Sequence, residues 1–239
     1  MSQIWIAAGI ITILIFLIVG AILRKTIDFA KYKKEILFIF GLNLLLPTSL
    51  YYLIRIPIDH LLNGWFSSYP ELLYWVKSLY APITEEPGKA LILLFPFCFK
   101  FLNKNTIQGA ALSAGMGFGI GEAWLLAYLF AGNPTVNAYQ WYEYTGFMNE
   151  RFVVAIIHGA FVGLTMYFTV IKRSFTLGII LAMLSHFLLN FPIMLFSPHG
   201  ISLTMENRQI FLMLWTVLFL TLSIIYHVWL GNKPGRSLI

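Results

Sequence analysis

The chain has 239 residues, of which 59% are hydrophobic and 11% charged, and its mean hydropathy is +0.79. A soluble domain carries about 25% charged residues, so this composition excludes an ordinary soluble protein and indicates an integral membrane protein. The net charge of +6 does not predict binding to nucleic acid, because the cations lie at the ends of apolar runs. The single cysteine, Cys98, excludes an internal disulfide and a cysteine-based metal cluster.

Seven apolar runs, in chain order, predict an all-α, polytopic bundle of about seven transmembrane helices. Residues 1–239 are expected to form one domain, since no repeat or linker separates the runs. The first run, Ile4–Leu23, is expected to be a retained span, because it is longer than the apolar core of a signal peptide. The other six are about Ile36–Ile56, a run that carries Thr84–Lys89 and ends at Lys100, Thr106–Phe130, Arg151–Ile171, Phe175–Phe196 and Ile210–Leu230.

The start of the third span is the least regular part of the pattern. The residues before it are rich in Trp and Tyr, which predicts an interfacial segment ahead of the span. Pro87 cannot donate a hydrogen bond to the carbonyl of Ile83, so the span either kinks at Pro87 or begins near Thr84. The second alternative is preferred: Thr84 caps the helix, and the interfacial segment dips inward at Ala81–Pro82.

The distribution of cations predicts the orientation of the chain. Alternating the seven spans places eleven cations on one side: Arg24, Lys25, Lys31, Lys33, Lys34, Lys100, Lys104, Lys172, Arg173, Lys233 and Arg236. The opposite side holds four, namely Arg55, Lys77, Arg151 and Arg208. The positive-inside rule therefore predicts an N-terminus outside and a cytoplasmic C-terminus.

Several ionisable or polar residues interrupt the spans: Glu85, Glu86, Lys89, Glu122, His158, His186 and Asn190. Such residues are costly in a membrane and commonly functional. Glu86, Glu122, His158 and His186 each lie about 13 to 16 residues from the cytoplasmic end of their span, which is roughly 20–24 Å at ~1.5 Å per residue. Their common depth predicts one site in the outer half of the membrane.

Two local patterns support this single site. Asn190 follows His186 by four residues, so both are expected on one helix face. The fourth span carries Gly115, Gly117, Gly119 and Gly121, two overlapping pairs that allow a neighbouring helix to approach closely.

The order of these motifs resembles the PrsW family, within the wider group of membrane proteases that includes the CAAX prenyl proteases. The matching positions are Glu85, Glu86 and Lys89, then Phe118 and Glu122, then His158, then His186 and Asn190. The resemblance covers a catalytic core of about residues 80–195. CAAX proteases usually have Arg one place beyond Lys89 and His at the position of Glu122, so PrsW-like substrates are expected rather than prenylated ones.

The resemblance implies an intramembrane endopeptidase in a prokaryotic plasma membrane. Its partners would be the lipid bilayer and a membrane-anchored protein, cleaved near the extracytoplasmic side. The sequence predicts no particular oligomeric state.

Two chemistries fit the residues. In the first, His158, His186 and Glu122 or Glu86 hold a divalent metal, most plausibly zinc, and a remaining glutamate is the general base. In the second, which needs no metal, Glu86 or Glu85 activates water with a histidine, while His186 and Asn190 donate to the oxyanion. The metal version is slightly preferred, because two histidines and several glutamates in one layer form a ligand set. Lys89 is expected to orient or neutralise an acid, and Glu86 to point inward.

Two other functions remain open from the residues alone. An ion- or proton-coupled transporter also uses intramembrane Glu and His, and a family member can lose catalysis and become a scaffold. A protease needs these side chains around one centre, whereas a transporter would place them along the membrane normal. Outside the candidate site, Arg151 is interpreted as a topology anchor, and His60, His199 and His227 as interfacial residues.

Overall fold

The computed structural model describes residues 2–196 and 204–232, so the predictions for His199, Lys233 and Arg236 fall outside the described residues. Within those ranges the chain is helical and forms no β-strand. The α-helices are α1 (Ile4–Thr26), α2 (Lys33–Leu50), α3 (Ile56–Phe66), α4 (Pro70–Ala90), α5 (Pro96–Phe101), α6 (Ile107–Ala131), α7 (Pro134–Asn137), α8 (Thr145–Val170), α9 (Phe175–Leu195) and α10 (Met205–Gly231).

Three short segments of other helical types connect or extend these helices. A π-helical segment, Tyr51–Arg55, joins α2 to α3 without a break, so Lys33–Phe66 is one continuous helical stretch. The 3₁₀ segments Leu91–Leu94 and Trp141–Tyr144 follow α4 and precede α8.

Six helical stretches of the described chain are long and apolar enough to cross a membrane. They are α1, the stretch from α2 to α3, α6, α8 with its preceding 3₁₀ turn, α9 and α10. The all-helical prediction is confirmed for the described residues, and six helical stretches could span a membrane where the sequence predicted about seven spans. The remaining predicted span falls in residues 70–101, which are divided among α4, a 3₁₀ segment and α5.

The predicted helix start at Thr84 is wrong. Helix α4 begins at Pro70, in the stretch predicted to be interfacial, and continues through Thr84 and Pro87 to Ala90. The Thr84 hydroxyl donates to the carbonyl oxygens of Tyr80 and Ala81, 2.9 and 3.2 Å away, as an interior threonine does. The helix changes at Leu91 instead, where the backbone tightens into the 3₁₀ segment.

Helix α4 and its continuation lie antiparallel to the stretch from α2 to α3. Near the start of α4, the Lys77 ammonium is 3.2 Å from the Asp59 carboxylate. Further along, Gly88 lies against Leu46 and Leu50 of α2, and after the 3₁₀ segment the rings of Phe95 and Phe38 are 4.8 Å apart. The broken segment therefore follows its neighbour from one end of the bundle to the other.

Helix α6 is the central helix, and its glycines set how closely its neighbours pack. A Cβ atom at Gly115 or Gly119 would clash with the backbone of α8, at Gly159 and Ala155. A Cβ atom at Gly117 or Gly121 would clash with the carbonyl oxygens of Phe40 and Leu44 in α2. The two glycine pairs therefore face two different helices, and α6 is held between α2 and α8.

Candidate active site

The first part of the site is one face of α4. Lys89 follows Glu85 by four residues and Glu86 by three, which brings the three side chains together. The Lys89 Nζ atom lies 2.7 Å from Glu86 Oε1 and 3.5 Å from Glu85 Oε2. It also lies 4.0 Å from the centre of the Phe118 ring, and Lys89 is only 1% exposed. A buried ammonium requires such partners, because an isolated buried charge is very costly.

Helices α8 and α9 each add a histidine to this face. His158 Nδ1 lies 2.8 Å from Lys89 Nζ, and His186 Nδ1 lies 2.7 Å from Glu86 Oε1. The two imidazole rings are 5.3 Å apart, and the Phe161 ring stacks on His186. Both histidines are buried.

The donor and acceptor roles in this network follow from Lys89. An ammonium can only donate, so His158 Nδ1 must accept, and the proton of neutral His158 sits on Nε2. That nitrogen lies 3.5 Å from Glu122 Oε2. The Glu86 carboxylate accepts from both Lys89 and His186, which places a proton on His186 Nδ1.

Glu122 completes the group, which we call the Glu–His–Lys cluster: Glu85, Glu86, Lys89, Glu122, His158 and His186. The prediction that Arg151 is a topology anchor is wrong. Arg151 is buried, and its Nη1 atom lies 2.7 Å from Glu122 Oε2, while Nη2 lies 2.5 Å from Glu150 Oε1. The sequence feature that indicates a place for Arg151 in the site is its spacing, seven residues before His158 on the same helix face.

Arg55 is a second cation that the sequence did not assign to the site. It forms an ion pair with Glu85 from the end of the π-helical segment Tyr51–Arg55. A π-helical turn holds more residues than an α-helical turn, so the direction of Arg55 does not follow from α-helical spacing. The cluster thus has three carboxylates, and three cations in contact with them: Lys89, Arg55 and Arg151.

Three buried carboxylate oxygens of the cluster make no hydrogen bond within the described parts of the chain: Glu85 Oε2, Glu86 Oε2 and Glu122 Oε2. Glu85 Oε2 and Glu122 Oε2 lie in ion pairs with Lys89 and Arg151, whereas Glu86 Oε2 has no ion-pair contact either. Buried polar atoms are nearly always paired, so this oxygen is where a water molecule or a substrate group would be accepted. Asn190 is half-buried one helical turn beyond His186, with no hydrogen bond recorded between it and the cluster.

Part of the cluster has the residue types and the short distances that a metal site requires. Glu85, Glu86, His158 and His186 each offer one ligand atom, and these atoms lie within 4.8 Å of one another. The ligand set predicted from the sequence contains Glu122, whereas this set contains Glu85 instead. However, the Lys89 ammonium lies between Glu86 and His158, 2.7 and 2.8 Å from its two partners. The arrangement therefore does not fit a resident divalent ion while Lys89 holds this position.

A cavity of about 100 Å³ adjoins the cluster between α2, α4 and α6. We call it the leucine cavity; it is lined by Pro47, Leu50, Tyr51, Arg55, Glu85, Phe118, Glu122, Leu125, Leu126 and Leu129. Its lining combines the charged residues Arg55, Glu85 and Glu122 with three leucines of α6.

The other histidines lie away from the cluster. His60 is exposed. The interfacial prediction for His227 is wrong, because this side chain is buried between α10 and α8, with Nε2 3.3 Å from the carbonyl oxygen of Ile156. The backbone of His227 also accepts a hydrogen bond from Gln108 of α6 at 2.9 Å, so His227 helps to hold α10 on the bundle.

Comparison with known proteins adds no relative: no family model, no curated protein and no solved structure matches the chain.

Proposed function

We propose that this protein is an intramembrane endopeptidase that cleaves membrane-anchored proteins near the extracytoplasmic side. The observation that carries the proposal is the buried convergence of two histidines and three glutamates from four helices, with one open carboxylate oxygen. The resemblance of the motif order to the PrsW family supports the same reaction.

Glu86 is the general base in this proposal. Its free Oε2 takes a proton from a water molecule while the water oxygen bonds to the carbonyl carbon of the scissile peptide. The carbonyl electron pair moves to the oxygen and forms a tetrahedral oxyanion, for which the amide of Asn190, four residues after His186 on α9, is the proposed donor. Glu86 then passes the proton to the leaving nitrogen as the C–N bond breaks, giving a carboxylic acid and an amine, and the acid's proton transfers to the amine to give a carboxylate and an ammonium.

The other members of the cluster set the state of Glu86 and His158. Lys89 and His186 both donate to Glu86 Oε1, which leaves Oε2 as the oxygen that can take the proton of the attacking water. Glu122 Oε2 lies 3.5 Å from His158 Nε2 and attracts its N–H electrostatically, while Arg151 balances the charge of Glu122. Three cations against three carboxylates let the cluster remain buried before substrate arrives.

We favour the reaction without a metal, in contrast to the preference drawn from the sequence. A divalent ion in the Glu86–His158 position would have to displace a buried ammonium that makes contacts of 2.7 and 2.8 Å. It would also add two positive charges to a group that is already balanced.

The distribution of ion pairs favours hydrolysis over transport. From the cluster, contacts lead through Arg151 to the exposed Glu150 at the start of α8. In the other direction, Val162 and Met166 of α8 are buried in a large apolar cluster with Ala110 and Ala111 of α6. Among the described residues, no ion pair lies in the half of the bundle around Val162 and Met166. The charged groups therefore extend from the cluster in one direction only and do not cross the bundle.

The test is a cleavage assay with the purified protein in liposomes and a panel of single-pass membrane proteins. We expect two fragments by mass spectrometry, at an unchanged rate after chelation and with no stoichiometric metal in the protein. Substrate binding without cleavage across the panel would indicate a scaffold, and a proton flux without cleavage would indicate a transporter. Either result would overturn the proposal.

A further inference from the structure

The leucine cavity adjoins the Glu–His–Lys cluster through a shared wall. Phe118 lines the cavity, and the same ring lies 4.0 Å from Lys89 Nζ and 4.6 Å from the centre of the His158 ring. Glu85 and Glu122 also belong to both the cavity and the cluster. A peptide bound with its carbonyl at Glu86 would therefore have the cavity beside it.

One wall of the cavity is a face of α6. Leu125, Leu126 and Leu129 follow Glu122 at spacings of three, four and seven residues, so they line up along the helix from that carboxylate. Leu50 of α2 also lines the cavity. The part of the cavity beyond the carboxylates is thus apolar and cannot satisfy a polar substrate group.

The charged groups that line the cavity are balanced by ion pairs. Arg55 is paired with Glu85, and Glu122 is paired with Arg151. The lining thus offers no uncompensated positive charge to an anionic substrate group, so the cavity selects by size and apolar contact. A volume of about 100 Å³ equals the share of roughly three water molecules in the liquid, which suits one aliphatic side chain and is too small for an indole or a prenyl chain.

We infer that the leucine cavity is the specificity subsite of the proposed peptidase: it takes a small to medium aliphatic side chain, of the size of alanine to leucine, next to the scissile bond. Leu126, four residues after Glu122 on α6, is one of the apolar residues that bound it. This inference rests on the proposed function, and it names a substrate class that the function alone does not.

The test compares substrates and a cavity variant in the liposome assay. The cleavage site of one substrate is mapped by mass spectrometry, and each flanking residue is changed in turn to Ala, Leu and Trp. At one flanking position, we expect kcat/KM for Leu to exceed that for Trp by about tenfold or more. Leu126→Ala should enlarge the cavity and lower the ratio of kcat/KM for the Leu substrate to that for the Trp substrate by about tenfold. Leu129→Ala, on the same wall, should act in the same direction.

The matched control is Leu45→Ala, because Leu45 of α2 is 66% exposed on the outside of the bundle. This variant should keep the wild-type ratio. Equal cleavage of Leu and Trp substrates at both positions, or an unchanged ratio in both cavity variants, would overturn the subsite while leaving the peptidase intact. Failure of the wild-type protein to cleave any substrate would overturn the proposed function, and the subsite with it.

Discussion

Lys89 is the residue whose contacts define the candidate site. Its ammonium touches Glu86, Glu85, His158 and the Phe118 ring, and every partner comes from a position that the sequence motifs singled out. From the sequence it was expected only to orient or neutralise an acid. In the structure it also fixes which nitrogen of His158 carries the proton, and it holds the position that a metal ion would need.

Removal of this ammonium should create a metal site. In Lys89→Met the four ligand atoms of Glu85, Glu86, His158 and His186 remain within 4.8 Å of one another, but the cation among them is gone. We expect zinc affinity to rise by about tenfold or more over wild type, since one buried charge is worth more than the 1.4 kcal/mol of a tenfold change. Metal titration of the purified variant measures this, with Lys77→Met as the control. Equal affinity in both variants would contradict the central role of Lys89.

Arg151 and Glu122 should be coupled in stability. Arg151→Gln leaves the Glu122 carboxylate half-buried without its cation, and we expect a loss of about 1–3 kcal/mol, less than for a fully buried pair because Glu122 is partly exposed. The double variant Arg151→Gln/Glu122→Gln should recover part of this loss. Thermal unfolding of the four proteins in one detergent gives the coupling energy. Additive losses would show that the pair does not interact.

Counting residues along the spans predicted which side chains share a depth, but not every partner. The count brought Glu86, Glu122, His158 and His186 to one layer, and the structure brings them into one network. A residue count does not show from which side of its helix a side chain projects, so it leaves Arg55 and Arg151 at the membrane surface. For Arg55 the π-helical segment makes the direction depend on tertiary packing.

At the scale of elements, the sequence predicts the structural effect of the glycines in α6 better than that of the prolines in α4. The glycine pairs indicated close packing, and the structure shows it on both sides of α6. The local sequence rule predicts that a proline interrupts a helix, yet Pro82 and Pro87 both lie inside α4. Neighbouring helices and hydroxyl groups can satisfy the backbone around a proline in a membrane bundle, and a local rule does not include them.

The α6 glycines should tolerate no added methyl group. Gly115→Ala and Gly121→Ala place a Cβ atom against the backbone of α8 and α2, respectively. Each should cost about 1–3 kcal/mol, the typical cost of overpacking. Gly20→Ala in α1 has nothing within 4 Å of the new atom and should be neutral or slightly stabilising. Unfolding midpoints equal to wild type in both α6 variants would contradict the close packing of this helix.

At the scale of the whole molecule, the segment of residues 70–101 decides the topology. Its contacts with α2 and α3 run from Asp59 at one end to Phe38 at the other, although the helix changes at Leu91. We propose that it is a third crossing in spite of that break, which gives seven crossings and the N-terminus-outside orientation. The sequence predicted this number from hydropathy but placed the break at the wrong residue.

Cysteine labelling tests this crossing. In a Cys98→Ala background, Ser68→Cys and Lys104→Cys lie in exposed turns on either side of the segment. A membrane-impermeant thiol reagent added to intact cells should label Ser68→Cys and not Lys104→Cys. Asn133→Cys and Lys172→Cys, at the two ends of the α6 to α8 region, serve as outside and inside references. Labelling of both Ser68→Cys and Lys104→Cys from one side would show that residues 70–101 do not cross.

The carboxylate of Glu86 is the group on which the proposed reaction depends most directly. The measurement is the cleavage rate of a single-pass substrate in liposomes by wild type, Glu86→Gln and Glu71→Gln. Glu71 is an exposed glutamate on the same helix, so its variant controls for loss of a charge in α4. We predict that Glu86→Gln lowers the rate by about 10²-fold or more while Glu71→Gln keeps it, because Glu86 Oε2 is a buried oxygen with neither a hydrogen bond nor an ion-pair contact among the described residues. A Glu86→Gln protein that cleaves at the wild-type rate would contradict the account.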